Sequence, residues 1–150
     1  MDNENQTVPA MFLNRSDFVL SALYSWIVEN DGKPLVAVNT MIEGVTVTSD
    51  REVDDKGMIT YNLSPQAVRN LIIQDGFVSF DASMSGVKRN ISFPCVAVAV
   101  IFDQNSGYAE EVTNLGVQQW IMNQQRAAEN KTKEAPKPAE KKAPFLTVIK

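Results

Sequence analysis

Residues 77–102 read F-V-S-F-D-A-S-M-S-G-V-K-R-N-I-S-F-P-C-V-A-V-A-V-I-F, and their periodicity decides the fold. Val78, Phe80, Ala82 and Met84 alternate with Ser79, Asp81 and Ser83, which puts apolar residues on one face of a strand and polar ones on the other. Ser85-Gly86 turns the chain, and Val87, Arg89, Ile91 and Phe93 alternate on the return, closed by Pro94. Cys95–Phe102 is a continuous apolar run, the pattern of a strand covered on both sides, with Cys95 as a small core residue. Working outward, Asp75-Gly76 is the strongest hairpin signal in the chain, and Leu71-Ile72-Ile73 leads into it. Met58–Leu63 alternates with Ile59, Tyr61 and Leu63 on one side, until Ser64-Pro65 breaks the strand and starts a short helical turn through Val68. Leu35–Val38 and Val45–Val47 are β-branched-rich strand candidates, separated from Met58 by the charged loop Ser49–Gly57.

One helix precedes these strands. Ser16 can cap its free amides, Asp17 suits the positive end of its dipole and Gly32 can end it, so the pattern predicts a helix over 16–30 after a polar arm, residues 1–15. Its apolar residues form two adjacent stripes, Val19-Leu23-Ile27 and Leu20-Tyr24-Ile27, more than one sheet needs to cover. Either the helix is deeply buried in its own domain or the second stripe meets another copy of the chain. The expected fold is α+β and mostly β: a helix, then an antiparallel meander curled into a small, partly open barrel over 16–107. Residues 115–128 hold Val117, Trp120, Ile121 and Met122, a short helix docking on the body and extending order to about residue 125.

The totals narrow the function. No histidine and a single cysteine remove the commonest general base, the commonest metal ligand and any cysteine zinc site, so enzyme chemistry has no signal and neither a metal nor a cofactor is implied. No apolar run approaches a membrane span, and the acidic start M-D-N-E-N-Q-T has no secretory pattern; with one cysteine, this suggests the cytoplasm. The net charge of −4 is unevenly spread. Residues 1–125 carry seven Lys/Arg against fifteen Asp/Glu, and residues 126–150 carry seven against three. An acidic body argues against a phosphate-binding surface, which weakens the alternative of a small-barrel RNA-binding module using Lys88, Arg89 and the basic tail.

The closing stretch A-P-F-L-T-V-I-K, residues 143–150, is an apolar cluster set apart from the body by a polar, Lys/Pro-containing stretch, residues 126–142, read as a flexible linker. Such a patch needs a surface supplied from elsewhere, unless Leu146–Ile149 adds back as an edge strand on its own domain. A linker of this length spans roughly 25 Å and raises the local concentration of a second site to about millimolar.

Several segments occur together in one order. F-V-L-S-A-L-Y-S-W-I-V-E-N at 18–30, G-V-T-V at 44–47, N-L-S-P-Q-A-V-R-N-L at 62–71, F-V-S-F-D-A-S-M-S-G-V at 77–87, I-S-F-P at 91–94 and the closing P-F-L-T-V-I-K resemble the stringent starvation protein B (SspB) family. The resemblance implies a non-enzymatic adaptor for the ClpXP protease, with a homodimeric body related to the Sm fold that holds ssrA-type degradation tags. It implies that Pro144, Phe145, Leu146, Val148, Ile149 and Lys150 dock on the N-terminal domain of ClpX. It places the tag groove near Phe80, Ala82, Ser83, Met84, Gly86, Val87, Lys88 and Arg89, although Phe80 and Ala82 also fit a core strand. The dimer contact falls on the N-terminal helix, at Leu20, Leu23, Tyr24, Trp26 and Ile27. The tether departs from the family pattern, which is often long and acidic.

Overall fold

The computed structural model describes residues 10–134, leaving residues 1–9 of the expected arm over 1–15, residues 135–142 of the expected linker and the closing octapeptide outside the described residues. The order is α1 (Ala10–Glu29), β1 (Pro34–Asn39), β2 (Met58–Asn62), β3 (Val68–Gln74), β4 (Phe77–Met84), β5 (Val87–Pro94), β6 (Val98–Asp103), β7 (Ala109–Glu111) and α2 (Leu115–Glu134). Two antiparallel sheets result. One has the order β2-β1-β6-β7 and the other β3-β4-β5. They remain separate, open sheets that do not close into a barrel.

The two sheets meet through aromatic side chains. Tyr61 on β2 stacks on Phe93 of β5 at 5.8 Å, and Phe80 of β4 stands edge-on to both, at 5.9 Å from Tyr61 and 6.2 Å from Phe93. Edge-to-face and offset pairs at these separations add to the area they bury. The Tyr61 hydroxyl donates to the Thr46 carbonyl at 2.6 Å, so its one polar atom is satisfied at the rim. Around this contact lie Val36, Val38, Ile59, Leu63, Val78, Ile91, Val98 and Ile101, all buried, with Leu20 and Ile27 of α1 closing one side.

Both hairpin turns behave as their sequences require. Asp75-Gly76 has φ of 54° and 84°, and Ser85-Gly86 has 53° and 80°. Two successive left-handed residues make the turn whose twist matches the strands it joins. Val45–Val47 does not form a strand. Instead Thr46 makes a local clasp on β5, donating its amide to the Ser92 carbonyl at 2.9 Å and accepting the Ser92 amide on its hydroxyl at 3.2 Å. The run from Cys95 is also interrupted, because Cys95–Ala97 forms a helical turn and the strand starts at Val98. Cys95 is fully buried, and burial, reinforced by the Asp17 carboxylate, pushes its thiol up to about 12.

Helix α1 starts six residues before the expected Ser16. That serine lies inside the helix, buried, and shares a hydrogen bond with Thr113, while Arg15 donates to the Val112 carbonyl at 2.8 Å. Partners 97 residues later in the same chain replace the capping role. At the other end Asp31 takes φ 62°, its amide reaching Val28 and that of Gly32 reaching Ile27, a closing pattern that satisfies the last carbonyls. Gly32 is required for space: a Cβ there would sit 2.6 Å from Ile27 and 2.8 Å from Asp103.

Asp103 ties this corner together. Its carboxylate accepts from the Ser106 hydroxyl at 2.6 Å, the Lys33 amide at 2.8 Å and the Ser106 and Asn105 amides, which holds its pKa down to about 2.

Helix α2 is longer than the sequence suggested. Asn114 caps it by accepting the Val117 amide at 2.8 Å. Buried Gln118 anchors it, accepting from Asn39 at 3.1 Å and donating to the Val96 carbonyl at 3.0 Å. Helix persists to Glu134 through residues 126–134, the first part of the expected linker. Ala, Gln, Lys and Glu carry no β-branch or aromatic ring, yet they are good helix formers once the first turns are docked.

Because the Asp103 carboxyl is depressed below its unfolded value of about 3.9, its stabilisation is present above that value and is lost as pH falls through about 2. Asp103→Asn therefore lowers the melting temperature at neutral pH, and the gap from the parent closes as pH drops from about 4 to about 2, read by thermal denaturation across that range.

Candidate peptide-binding site

The β3-β4-β5 sheet carries an open cleft where β3 begins. Its walls are Gln66 and Ala67 of the turn before β3, Arg69 of β3, Asp81, Ala82 and Ser83 of β4 and Lys88 of β5, enclosing about 330 Å³. Register explains the gathering. Val68 faces Ala82 and Arg69 faces Asp81 across β3 and β4, and Ser83 faces Lys88 across β4 and β5. The β3-β4 pairing then slips between Arg69 and Ile72, with Asn70 at φ 58°. The bulge bends β3 beside the cleft. Strand β3 pairs only with β4 among the described strands, so the edge beside the cleft has backbone groups available for an added strand.

The charges at the rim are positioned by hydrogen bonds. Asp81 accepts from Asn70 at 2.9 Å and from Asn90 at 3.1 Å, which lowers its pKa and keeps it ionised. The Arg69 guanidinium donates to the carbonyls of Pro65 and Val68 at 3.3 and 3.1 Å, which folds it against the turn. Lys88 is exposed at the mouth. The cleft thus has a small apolar floor at Ala82 and Ala67 and both signs of charge around it. An extended peptide with small side chains at its centre and polar ones beside them matches this shape.

Of the residues expected from the sequence, Ala82, Ser83 and Lys88 share this cleft. Phe80 does not. It is 1% exposed between Tyr61 and Phe93, so it offers a ligand no surface, because the alternation that puts Ala82 inward puts Phe80 inward too, deeper in the core. Gly86, Val87 and Arg89 are exposed on the β4-β5 hairpin outside the cleft walls, and the Met84 side chain lies outside the described residues. A Cβ on Gly86 would meet nothing within 4 Å, and its φ of 80° is what the turn requires. Gln66, Ala67, Arg69 and Asp81 were not anticipated as walls. They lie in and beside N-L-S-P-Q-A-V-R-N-L, whose Ser-Pro turn marked a loop at the sheet edge without showing which strand end it would face.

The outward face of α1 also differs from expectation. Leu20 and Ile27 are buried in the protomer's own core, Leu23 packs half-buried against it, and Tyr24 donates to the Leu63 carbonyl at 3.0 Å. Of the five expected contact residues only Trp26 is exposed, at 50%. The free stripe is Met11, Phe18, Ala22 and Ser25, with Trp26 beside it, and Phe18 is 73% exposed. Residues seven, four and three apart share a helical face, so this stripe is continuous.

A family model described as stringent starvation protein B (SspB) matches residues 14–150. The chain belongs to the SspB family. A curated relative, the stringent starvation protein B homolog of Haemophilus influenzae, is 33% identical over 90 residues, covering 60% of this chain and 59% of that protein. The aligned part is therefore less than two thirds of the relative's length. Among the described residues of this SspB-family chain, no helix is long and apolar enough to cross a membrane.

The core position of Phe80 has a measurable consequence. Phe80→Ala costs about 3–5 kcal/mol of stability through the cavity it leaves, read by urea denaturation. Loss of peptide affinity without loss of stability in that variant would return Phe80 to the binding surface.

Proposed function

We propose that this protein is an adaptor that holds degradation tags of the ssrA type in the β3-β4-β5 cleft and delivers tagged proteins to ClpXP through residues 143–150. The observation that carries the reading is the cleft itself: Ala82, Ser83 and Lys88, implied by the family resemblance alone, converge there with Gln66, Ala67, Arg69 and Asp81 at an unpaired strand edge. A peptide adding along β3 gains main-chain hydrogen bonds, Ala82 admits its backbone closely, and Lys88 and Asp81 orient polar side chains. The octapeptide docks on the N-terminal domain of ClpX, and tethering makes two modest affinities suffice. The role is delivery in the cytoplasm, without catalysis and without a cofactor.

Two copies act together in this proposal. Met11, Phe18, Ala22, Ser25 and Trp26 form the contact, an isologous pairing of α1 helices, while Leu20, Leu23 and Ile27 support the helix from beneath. A dimer presents two tails to one unfoldase, which strengthens delivery by avidity.

Ala82→Gln fills the cleft floor and abolishes binding of a fluorescent ssrA peptide in anisotropy titrations while leaving the melting temperature near the parent's. Removal of Pro144–Lys150 does the reverse, sparing peptide binding and eliminating stimulation of tagged-protein degradation by ClpXP. Retained tag affinity in the first variant, or retained stimulation in the second, would overturn the corresponding half of the proposal.

Phe18→Asp places a charge in the α1 contact and converts the dimer to a folded monomer in light scattering. A parent protein that is already monomeric at high concentration contradicts the pairing.

A further inference from the structure

A second, larger groove lies away from the tag cleft, between α2 and the loop after β1. It encloses about 670 Å³ and is lined by Met41, Glu43, Met122, Gln125, Arg126 and Glu129. Its base is fixed in place. Gln125 accepts the Glu43 amide at 2.8 Å and donates to the Met41 carbonyl at 3.1 Å, so one glutamine bridges both walls. Met122 is approached by the Asn39 amide at 3.9 Å, and Met41 lies over Gly57, where a Cβ would come within 3.2 Å of its sulfur. Met41 is nevertheless 60% exposed, which leaves a methionine-lined surface uncovered on one side. Methionine is flexible and polarizable, a lining that accommodates irregular apolar partners.

We infer that this groove is the intramolecular resting site of the protein's own segment Pro144–Ile149. Connectivity points to that occupant. Helix α2 forms one wall and is described to Glu134, with nine residues between it and Pro144 in the sequence. Met122 lies about 18 Å back along the helix from Glu134, at 1.5 Å per residue. The nine residues between Glu134 and Pro144 can span at most about 30 Å, more than that distance. Chemistry agrees with reach. Phe145, Leu146, Val148 and Ile149 are apolar and suit the methionines, and Lys141, Lys142 and Lys150 flank them, while the groove carries two acidic residues, Glu43 and Glu129, against one basic, Arg126. An effective concentration of about millimolar half-occupies the groove even if the free octapeptide binds with a Kd of only about 1 mM. The protein alternates between a state with its terminal peptide parked and one with it offered, and a partner that binds the peptide draws on the second.

The test uses the full chain without any unfoldase, so its failure leaves the delivery proposal standing. Methionine methyl resonances are compared between the parent and the full-length variant Leu146→Ser/Ile149→Ser. The Met41 and Met122 signals shift and that of Met58 does not. In the parent, the amide resonances of residues 144–149 differ from those of the free octapeptide, and the exposed substitution Met41→Glu moves them toward the free values. Methyl signals unchanged by the tail substitutions, with tail amides matching the free peptide, overturn the inference. Shifts that fade on dilution overturn it too, because they assign the groove to the tail of a second copy.

Discussion

The contact between Tyr61, Phe80 and Phe93 is the interaction on which the rest of the molecule depends. Neither sheet can cover its own apolar face, and these three rings are where one sheet closes over the other. The cleft lies outward from them. Ala82, two residues beyond Phe80 on the same inward face, emerges where the core ends, so the cleft floor continues the core strand past the edge of the opposing sheet.

That continuity explains how a small domain holds this cleft in shape. The β-bulge at Asn70 bends β3 beside the cleft, and the Asn70–Asp81–Asn90 hydrogen bonds hold the three strands together on the outer face. The hairpins at Asp75-Gly76 and Ser85-Gly86 set the register that brings Arg69, Asp81, Ser83 and Lys88 to one place. A slip of one residue would send Ala82 outward and close the cleft with a polar side chain.

The two helices serve the body in different ways. Helix α1 turns Leu20 and Ile27 to the core and leaves Phe18 and Trp26 outside, so one element both completes the core and carries an exposed apolar stripe. Helix α2 sets Val117, Ile121 and Met122 against the body and is further fixed by Gln118 and Gln125, whose amides each make paired bonds to it. Satisfied polar contacts of this kind specify position more than they add stability.

The sequence alone determined the inward residues of β2 and β4, both two-residue turns, the existence of α1 and the apolar character of the last eight residues, because each rests on local periodicity or on a backbone conformation that few residues accept. The tertiary structure alone decided that the sheets stay open, that Val45–Val47 is a clasp and not a strand, that Phe80 is interior while Ala82 is at a surface, and that Phe18 rather than Leu20 faces outward. Alternation tells which residues share a face; it does not tell how far along that face the opposing sheet reaches. Likewise both expected stripes on α1 pack on the core, while Phe18, which belongs to neither, stays outside because the core has a finite width. That width is set by Tyr61, Phe80 and Phe93 meeting across residues far apart in the chain, a contact no local pattern encodes.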